Sequence, residues 1–440
     1  MWKSFFIPAL VGKRAAASCL LLPCLLLGTT VSAAPDLGAD THTISLHEAV
    51  TKTLTNNPEL RAFDYRLKAQ QGRVQQAGLA PSPELNVVLE DVLGTDNYNG
   101  ADRAQATFSI SWVLERGVRQ RHINAARAGS SLFSVEADIK QLDAAAETAR
   151  RYLVSLAYQA RMVNADKTVQ LAAETIEAVR KRVKAGKTPE AELSRAQAEL
   201  ARRKLKREDI EHELLSANRR LAAQWGETAL DFMRVEGDIV SLPQLESFEI
   251  LKSRLQQNPE FTRLLSDQRL KKAALQLAQA QNKPSWGVNA GVRHFASTND
   301  QALIAGITIP FGERTRNPGR IAEASANLEK TDMEERATRV RIETAFYVLY
   351  EKLQHGLHVI NTVRDEIIPP LEQALIETRR AYNLGRYSYL EWRSVQAELL
   401  DAHNALIEAS IDAHRNIIEI ERLTGVRIAQ PSTLLKQTAQ

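Results

Sequence analysis

Cysteine is almost missing from the 440-residue chain, because both copies, Cys19 and Cys24, fall within the first 34 residues. The same stretch has basic residues, then an apolar run, then small residues at cleavage spacing, which is the pattern of a secretory signal peptide. We predict that this signal peptide covers residues 1–33. The exported chain would then contain neither a disulfide nor a thiolate metal site. Pro23 stands where acylation at Cys24 needs a small residue, which argues against a lipid anchor.

Neither sign of charge dominates the sequence. The formal net charge is +4, and removal of the leader's three basic residues, with no acidic residue to offset them, leaves +1. No basic patch appears, so we predict no nucleic-acid partner. After the leader, the sequence also lacks an apolar run long enough to cross a membrane as a helix.

Glycine and proline are missing from three long stretches, 131–185, 190–225 and 386–424. A helix over the first stretch alone would be roughly 80 Å long, which requires helical partners along its length. Apolar residues, many of them alanine, follow the 3-4 alternation of a coiled-coil seam. The seam residues are Leu142, Ala145, Ala149, Tyr152 and Leu156, then Leu399, Ala402, Leu406, Ala409, Ala413, Asn416, Ile420 and Leu423. Charged residues elsewhere on these helices are interpreted as solvated faces.

The tetrapeptide QAEL occurs at 197–200 and again at 396–399, each time eleven residues after a glycine and at an offset of 199. Further landmarks repeat at nearly the same offset, namely NNPEL with QNPEF, Pro83 with Pro284, and Gly226 with Gly425. Self-similarity of this kind predicts an internal duplication. We assign a first repeat to 34–230 and a second repeat, with a short tail, to 231–440. Each repeat reads as a helix, two strands and two long helices.

Four segments, 84–94, 104–114, 285–295 and 302–312, have strand length. Apolar and polar residues alternate most clearly in the second, which predicts one apolar and one polar face. Each segment is about as long as a tilted strand that crosses a bilayer. Aromatic residues predicted to lie at the membrane interface are Trp112, Trp286, Phe295 and Phe311. Before the first strand, a capping box at Ser45 and Glu48 predicts a helix that continues past Pro58 to about Ala80.

The predicted fold class is mostly α with a small β part, made of long antiparallel coiled-coil helices and four amphipathic strands. Four strands cannot close a barrel, which takes about eight. Unpaired strand edges in lipid would cost several kcal/mol per group. If the strands lie in a membrane, several chains must therefore share one barrel. The alternative is a soluble four-stranded sheet that caps a helical bundle.

No motif in the sequence supports an enzyme. His355 and His358 are spaced to chelate a transition metal, but no cysteine or obvious carboxylate completes a site, so a solvated helix face is favoured. There is no phosphate-binding loop, metalloprotease helix motif or nucleophile elbow. We predict no catalytic activity, no cofactor and no bound metal.

The chain resembles the TolC-like outer membrane factors, and the resemblance covers nearly all of the predicted mature chain. It rests on SLHEAVTKTLTNNPEL, on the strand pairs, and on RVKAGKTPEAELSRAQAEL and AYNLGRYSYLEWRSVQAELLDAHNAL. The opening motif and the loop GLAPSPELNVVLED are most similar to the branch that serves heavy-metal exporters of the cobalt-zinc-cadmium type. The resemblance implies a homotrimer with a twelve-stranded barrel in the Gram-negative outer membrane and a helical tunnel in the periplasm.

The resemblance also implies roles for named residues. The turns between paired long helices would form the periplasmic tip, which contacts a periplasmic adaptor and lies nearest an inner-membrane RND pump. Tip residues are Gly186, Lys187, Gly385, Arg386 and Tyr387. Candidates for the narrowest part of the tunnel are Glu192, Glu391 and Tyr382. Tyr387 stands where the family may place a latch arginine, and Arg386 or Arg393 could substitute.

The predicted function is a passive exit duct, with divalent heavy-metal cations as the preferred substrate. One alternative is a duct for organic compounds, antibiotics or secreted polypeptides. An alternative of another class is a soluble periplasmic coiled-coil scaffold without a pore.

Overall fold

The computed structural model describes residues 42–115, 117–243, 245–310 and 317–425. The predicted signal peptide and Phe311 lie outside these residues. Most of the described chain is helical. In chain order the helices are α1 (Leu46–Asn56), α2 (Pro58–Ala77), α3 (Val118–Lys184), α4 (Glu190–Ala222), α5 (Phe248–Arg254), α6 (Pro259–Ala280), α7 (Pro318–Thr362), α8 (Ile368–Asn383) and α9 (Tyr389–Thr424). None of them, within the described ranges, has the length and apolar character of a membrane-spanning helix.

The strands form two sheets. Their bounds are β1 (Thr43–Ile44), β2 (Glu84–Glu90), β3 (Gln105–Leu114), β4 (Arg234–Val235), β5 (Trp286–Phe295) and β6 (Asp300–Thr308). The short β1 and β4 pair in parallel, while the other four form an antiparallel sheet in the order β2-β3-β5-β6. All four predicted strand segments are thus found, and the order of helix, strand pair and long helices appears twice along the chain.

The first helix begins where the sequence predicts but does not continue past Pro58. Ser45 caps α1 by accepting a hydrogen bond from the Glu48 amide at 3.2 Å. Proline disfavours the α conformation in the preceding residue, and Asn57 accordingly leaves the helix with ψ 122°. The Asn57 side chain then caps α2 by accepting from the Glu59 amide at 2.8 Å. The predicted single helix is therefore wrong, and α2 ends at Ala77 rather than Ala80.

The long helices differ between the two halves. Helix α3 runs for 67 residues without interruption, which corresponds to about 100 Å. Its counterpart is divided, because a π-helical turn at Val363–Ile367 separates α7 from α8. Pro369 and Pro370 follow at once and lack the amide hydrogens that a regular helix needs there. A π turn accommodates this local break in the hydrogen-bond ladder.

Alanine-rich seams hold α3 and α9 together, as the 3-4 pattern predicts. Ala145, Ala146 and Ala149 of α3 are buried in one cluster with Ile407 and Ile411 of α9. A second cluster joins the other side of α9 to α7 through Leu399, Leu406 and Ala413, among others. Because small side chains allow close approach of the helix axes, two long helices pack on opposite sides of α9.

Candidate functional site

The four-stranded sheet exposes its apolar face, while the centre of its polar face is buried. Phe108 of β3 lies opposite Val87 of β2 and Val292 of β5. Phe108 is 54% exposed, whereas its polar neighbours Thr107 and Ser109 are 6% and 8% exposed. A sheet of a water-soluble protein has the reverse arrangement, with its apolar face on the core. The side chains on this exposed face suit a hydrocarbon environment.

Two glycines on the polar face lie close to the neighbouring strands. Gly291 lies opposite Ser109, and a Cβ atom there would collide with the Phe108 carbonyl oxygen. A Cβ atom at Gly306 would likewise collide with the Asn289 side chain. The polar face is therefore the crowded one. We infer that the sheet curls toward it, and we call the polar face concave and the apolar face convex. A strand interior normally avoids glycine unless two backbones approach closely, as they do here.

The register separates the predicted interface aromatics. Trp112 lies opposite Val288, and Trp286 lies opposite Leu114, so both tryptophans belong to the convex apolar face. Phe295 lies opposite Gln105 and therefore belongs to the concave face. Because side chains alternate between the two faces along a strand, Phe295 lies on the opposite face of the sheet from the two tryptophans.

Arg293 links three strands across the concave face. Its guanidinium donates hydrogen bonds to Thr107 Oγ1 at 2.9 Å and to Gln105 Oε1 at 3.1 Å, both on β3. It also lies 3.0 Å from Glu90 Oε2 on β2. This cluster lies near the strand ends that lead into the two hairpin loops, away from the ends that join the helices.

Two turns between long helices, one after α3 and one after α8, repeat one backbone motif. Gly186 and Gly385 have φ angles of +65° and +80°, a conformation that side chains disfavour. In the first turn the Lys187 amide donates to the Arg182 carbonyl at 2.9 Å, and in the second the Arg386 amide donates to the Ala381 carbonyl at the same distance. This six-to-one bond ends a helix in the Schellman manner. It explains the repeated glycine.

The two hairpins pack together just behind these turns. Tyr382 of α8 is 1% exposed, and its ring centroid lies 5.1 Å from that of Trp392 of α9. The Arg182 guanidinium of α3 lies 4.7 Å from the Tyr382 ring centroid and donates to the Tyr382 carbonyl oxygen. Ile176 and Val179 of α3 belong to the same buried cluster. The sequence did not reveal Arg182, although a basic residue in the last turn of a helix is a recognised partner for carbonyl groups.

The two predicted aperture glutamates have different surroundings. Glu192 accepts a long hydrogen bond, 3.4 Å, from the Tyr382 hydroxyl, and another of 3.4 Å from Thr188. Burial, and secondarily the Glu192 charge, raise the pKa of Tyr382 to about 12. Glu391 instead accepts from the amide and hydroxyl of Ser388, at 2.7 and 2.9 Å, in a complete capping box. These hydrogen bonds lower the pKa of Glu391 below its ordinary value.

The glutamate at the third position of the two QAEL segments has different surroundings in each. Glu199 is 9% exposed and lies 2.8 Å from Arg203 and 3.3 Å from Arg393 of α9. Its counterpart Glu398 is exposed and accepts from Ser394 at 3.1 Å. Arg393, one of the two arginines suggested as a latch, therefore joins the hairpins through Glu199.

The remaining predicted tip residues, Lys187, Arg386 and Tyr387, are exposed. His355 and His358 are exposed on α7. Among the described residues, no group of three or more histidine, cysteine or acidic side chains is arranged to hold a metal ion.

Comparison with known proteins identifies this arrangement. Residues 49–227 match the model of the outer membrane efflux protein family. The chain is 24% identical over 387 residues to the cobalt-zinc-cadmium resistance protein CzcC of Cupriavidus metallidurans, covering 87% of this chain and 90% of that protein. Part of the chain thus matches the outer membrane efflux protein family, and the similarity to CzcC extends over most of its length.

The chain is also similar to a second resistance protein and to a solved outer membrane protein. It is 24% identical over 342 residues to the nickel-cobalt-cadmium resistance protein NccC of Alcaligenes xylosoxydans, covering 74% of each chain. Its fold is similar to that of the outer membrane protein VceC of Vibrio cholerae, with a TM-score of 0.70 and 18% identity over 87% of this chain and 96% of VceC. The mostly helical fold with a small sheet thus resembles that of solved TolC-like channels.

Proposed function

We propose that the chain is one subunit of an outer-membrane exit duct, which passively conducts substrates delivered by an inner-membrane RND pump and a periplasmic adaptor. The observation that carries this proposal is the inverted sheet, with an exposed apolar convex face and a polar, glycine-bearing concave face. A lipid-facing wall around an aqueous lumen needs that arrangement. The proposed role requires no catalysis and no cofactor.

The proposed assembly is a homotrimer with a twelve-stranded barrel. In the described sheet, β2 and β6 each have a neighbour on one side only. Their free edges would be costly in lipid, and pairing β6 of one copy with β2 of the next satisfies them. The resulting barrel has twelve strands, whereas a barrel of about eight strands has an interior filled by its own side chains. The proposed barrel is therefore wide enough for its lumen to stay open to water. The chain would be exported by a signal peptide over residues 1–33, with duplicated repeats at 34–230 and 231–440.

Both turns belong to the proposed periplasmic tip. The adaptor would contact these turns, because the side chains of Lys187, Arg386 and Tyr387 are exposed. The proposed contact residues are Gly186, Lys187, Gly385, Arg386 and Tyr387. Glu192, Glu391 and Tyr382 remain the proposed aperture residues, and three copies of each carboxylate would attract cations and repel one another.

The proposed substrate is a divalent heavy-metal cation. This rests on the similarity to proteins named for cobalt, zinc, cadmium and nickel resistance. A duct for organic compounds or polypeptides is the alternative within the same architecture.

Deletion of the gene tests the substrate. With the pump and adaptor expressed, a deletion strain should become sensitive to zinc, cobalt and cadmium, while its tolerance to dyes and antibiotics stays unchanged. Unchanged metal tolerance together with new dye sensitivity would favour the organic-compound duct. Membrane fractionation tests the architecture, because a barrel needs detergent for extraction whereas a periplasmic scaffold leaves with the soluble fraction.

A further inference from the structure

The concave face of the sheet carries an uneven set of charges. Among the described strands, Arg293 is the only lysine or arginine on this face, and the acidic residues there are Glu84, Glu90 and Asp300. Arg293 and Glu90 form an ion pair of 3.0 Å. The pair cancels one positive and one negative charge, so the face keeps the charges of Glu84 and Asp300.

The ion pair lies at one end of the sheet. One residue from each strand forms a row across the sheet at this end. In the order of the strands, the row is Glu90, Gln105, Phe295 and Asp300, each paired in register with the next. This is the last described row before the loops that join β2 to β3 and β5 to β6. In the proposed duct the helices extend into the periplasm, so this row surrounds the outer mouth.

Arg293 is held against the wall rather than projecting into the lumen. Its two hydrogen bonds to β3 and its ion pair with β2 fix the guanidinium at three points. A bidentate or multiply bonded arginine keeps its charge next to its acidic partner. The side chains of Arg293 and Glu90 are still 32% and 47% exposed, so a passing ion senses either charge when its partner is removed.

We propose that the Glu90–Arg293 pair sets the charge selectivity of the outer mouth. This inference rests on the proposed duct and trimer. Three pairs would surround the mouth, each neutral as a unit, and the remaining carboxylates, with Asp300 in the same row as Glu90, favour hydrated cations over anions. Loss of Arg293 frees three negative charges, and loss of Glu90 frees three positive charges.

The test is the reversal potential of the reconstituted full-length protein in a planar bilayer with a potassium chloride gradient. At about 0.1 M salt, where screening extends over roughly 10 Å, Arg293→Gln should raise the potassium-to-chloride permeability ratio by about twofold or more. Glu90→Gln should lower the ratio by a similar factor. The double variant should return to nearly the wild-type ratio. All three shifts should shrink near 1 M salt, where screening acts over about 3 Å.

Three controls isolate the mouth. Arg293→Lys keeps the charge but not the guanidinium geometry, so it should keep the wild-type ratio; behaviour like Arg293→Gln would mean that loosened packing causes the shift. Arg415→Gln removes an arginine from an exposed Arg–Asp pair on α9 and should change the ratio least. Each variant is also combined with Glu192→Gln and Glu391→Gln in the same chain. In this background the carboxylates of the proposed tip do not contribute to the permeability ratio.

The outcomes separate the two proposals. Shifts of the same sign for Arg293→Gln and Glu90→Gln, or a conducting channel whose selectivity does not change, would overturn this inference and leave the duct intact. Failure of the wild-type protein to form any ion-conducting channel would overturn the proposed duct and, with it, this inference.

Discussion

The two helix turns share a backbone and differ in nearly every side-chain contact. Both end a helix with a glycine at positive φ and restart it within four residues. The first restart, at Pro189, has no side-chain cap, and its glutamate, Glu192, contacts Tyr382 of the other hairpin. The second restart has a full capping box, and its glutamate, Glu391, contacts Ser388. The same position in the repeat thus joins the hairpins in one half and stabilises a helix start in the other.

The largest effect should come from the aromatic side of this comparison. Trp392 is 2% exposed and occupies the repeat position of the partly buried Leu193. Trp392→Ala should lower the free energy of unfolding by about 3–5 kcal/mol, because it removes a large buried side chain. Leu193→Ala should cost about 1–2 kcal/mol. Thermal denaturation in detergent, followed by circular dichroism, measures both; equal losses would mean that the two hairpins contribute alike.

The second effect concerns the two QAEL glutamates. Glu199→Gln should destabilise the protein by about 1–2 kcal/mol, since it weakens charged contacts to arginines that are themselves partly exposed. Glu398→Gln, at the same repeat position but exposed, should stay within about 0.5 kcal/mol of wild type. The same denaturation assay compares them. If Glu398→Gln proved the more harmful, the assignment of Arg393–Glu199 as the contact between hairpins would be wrong.

The third effect concerns the capping box. Ser388→Ala should cost about 1 kcal/mol, whereas Thr188→Ala, in the uncapped turn, should change stability by less than about 0.5 kcal/mol.

The capping box also predicts a pH dependence. Because hydrogen bonds from Ser388 lower the folded-state pKa of Glu391 below its ordinary value of 4.5, the stability they provide is present above pH 4.5 and is lost as pH falls through the lowered pKa. The melting temperature of wild type should therefore fall more than that of Glu391→Gln between neutral pH and a pH below 4.5. An identical fall in both proteins would contradict the assigned role.

The smallest change in stability should follow Tyr382→Phe. The hydroxyl bond to Glu192 is 3.4 Å long, so its loss should cost less than about 1 kcal/mol. If this bond helps to hold the proposed aperture closed, channel conductance should rise while the melting temperature hardly moves. Tyr389→Phe, a nearby buried tyrosine, is the matched control and should change neither; an unchanged conductance for Tyr382→Phe would remove it from the aperture.

The sequence predicted those features that depend on local pattern. Period-two alternation located the strands, and the absence of glycine and proline located the long helices. The repeated glycine located both turns, because its left-handed conformation is a local requirement. The break at Asn57 is also a local feature, because proline disfavours the α conformation in the residue before it. The sequence therefore contains the signal for two helices in place of the predicted single one.

Features that depend on distant contacts were not predictable. Equal spacing from the glycine suggested equal roles for Glu192 and Glu391, but their partners differ because α8 packs beside α3, some 200 residues away. The contact between Glu199 and Arg393 likewise joins residues that are far apart in the sequence. The alternation in β3 revealed two faces, yet only the register and the curl show that the apolar face is convex.

The curl of the sheet is specified by atoms that are missing from Gly291 and Gly306. A methyl group at Gly291 would press against the backbone of β3, and one at Gly306 would displace the Asn289 side chain. Replacement of one of these glycines by alanine is therefore a direct way to alter the width of the proposed pore.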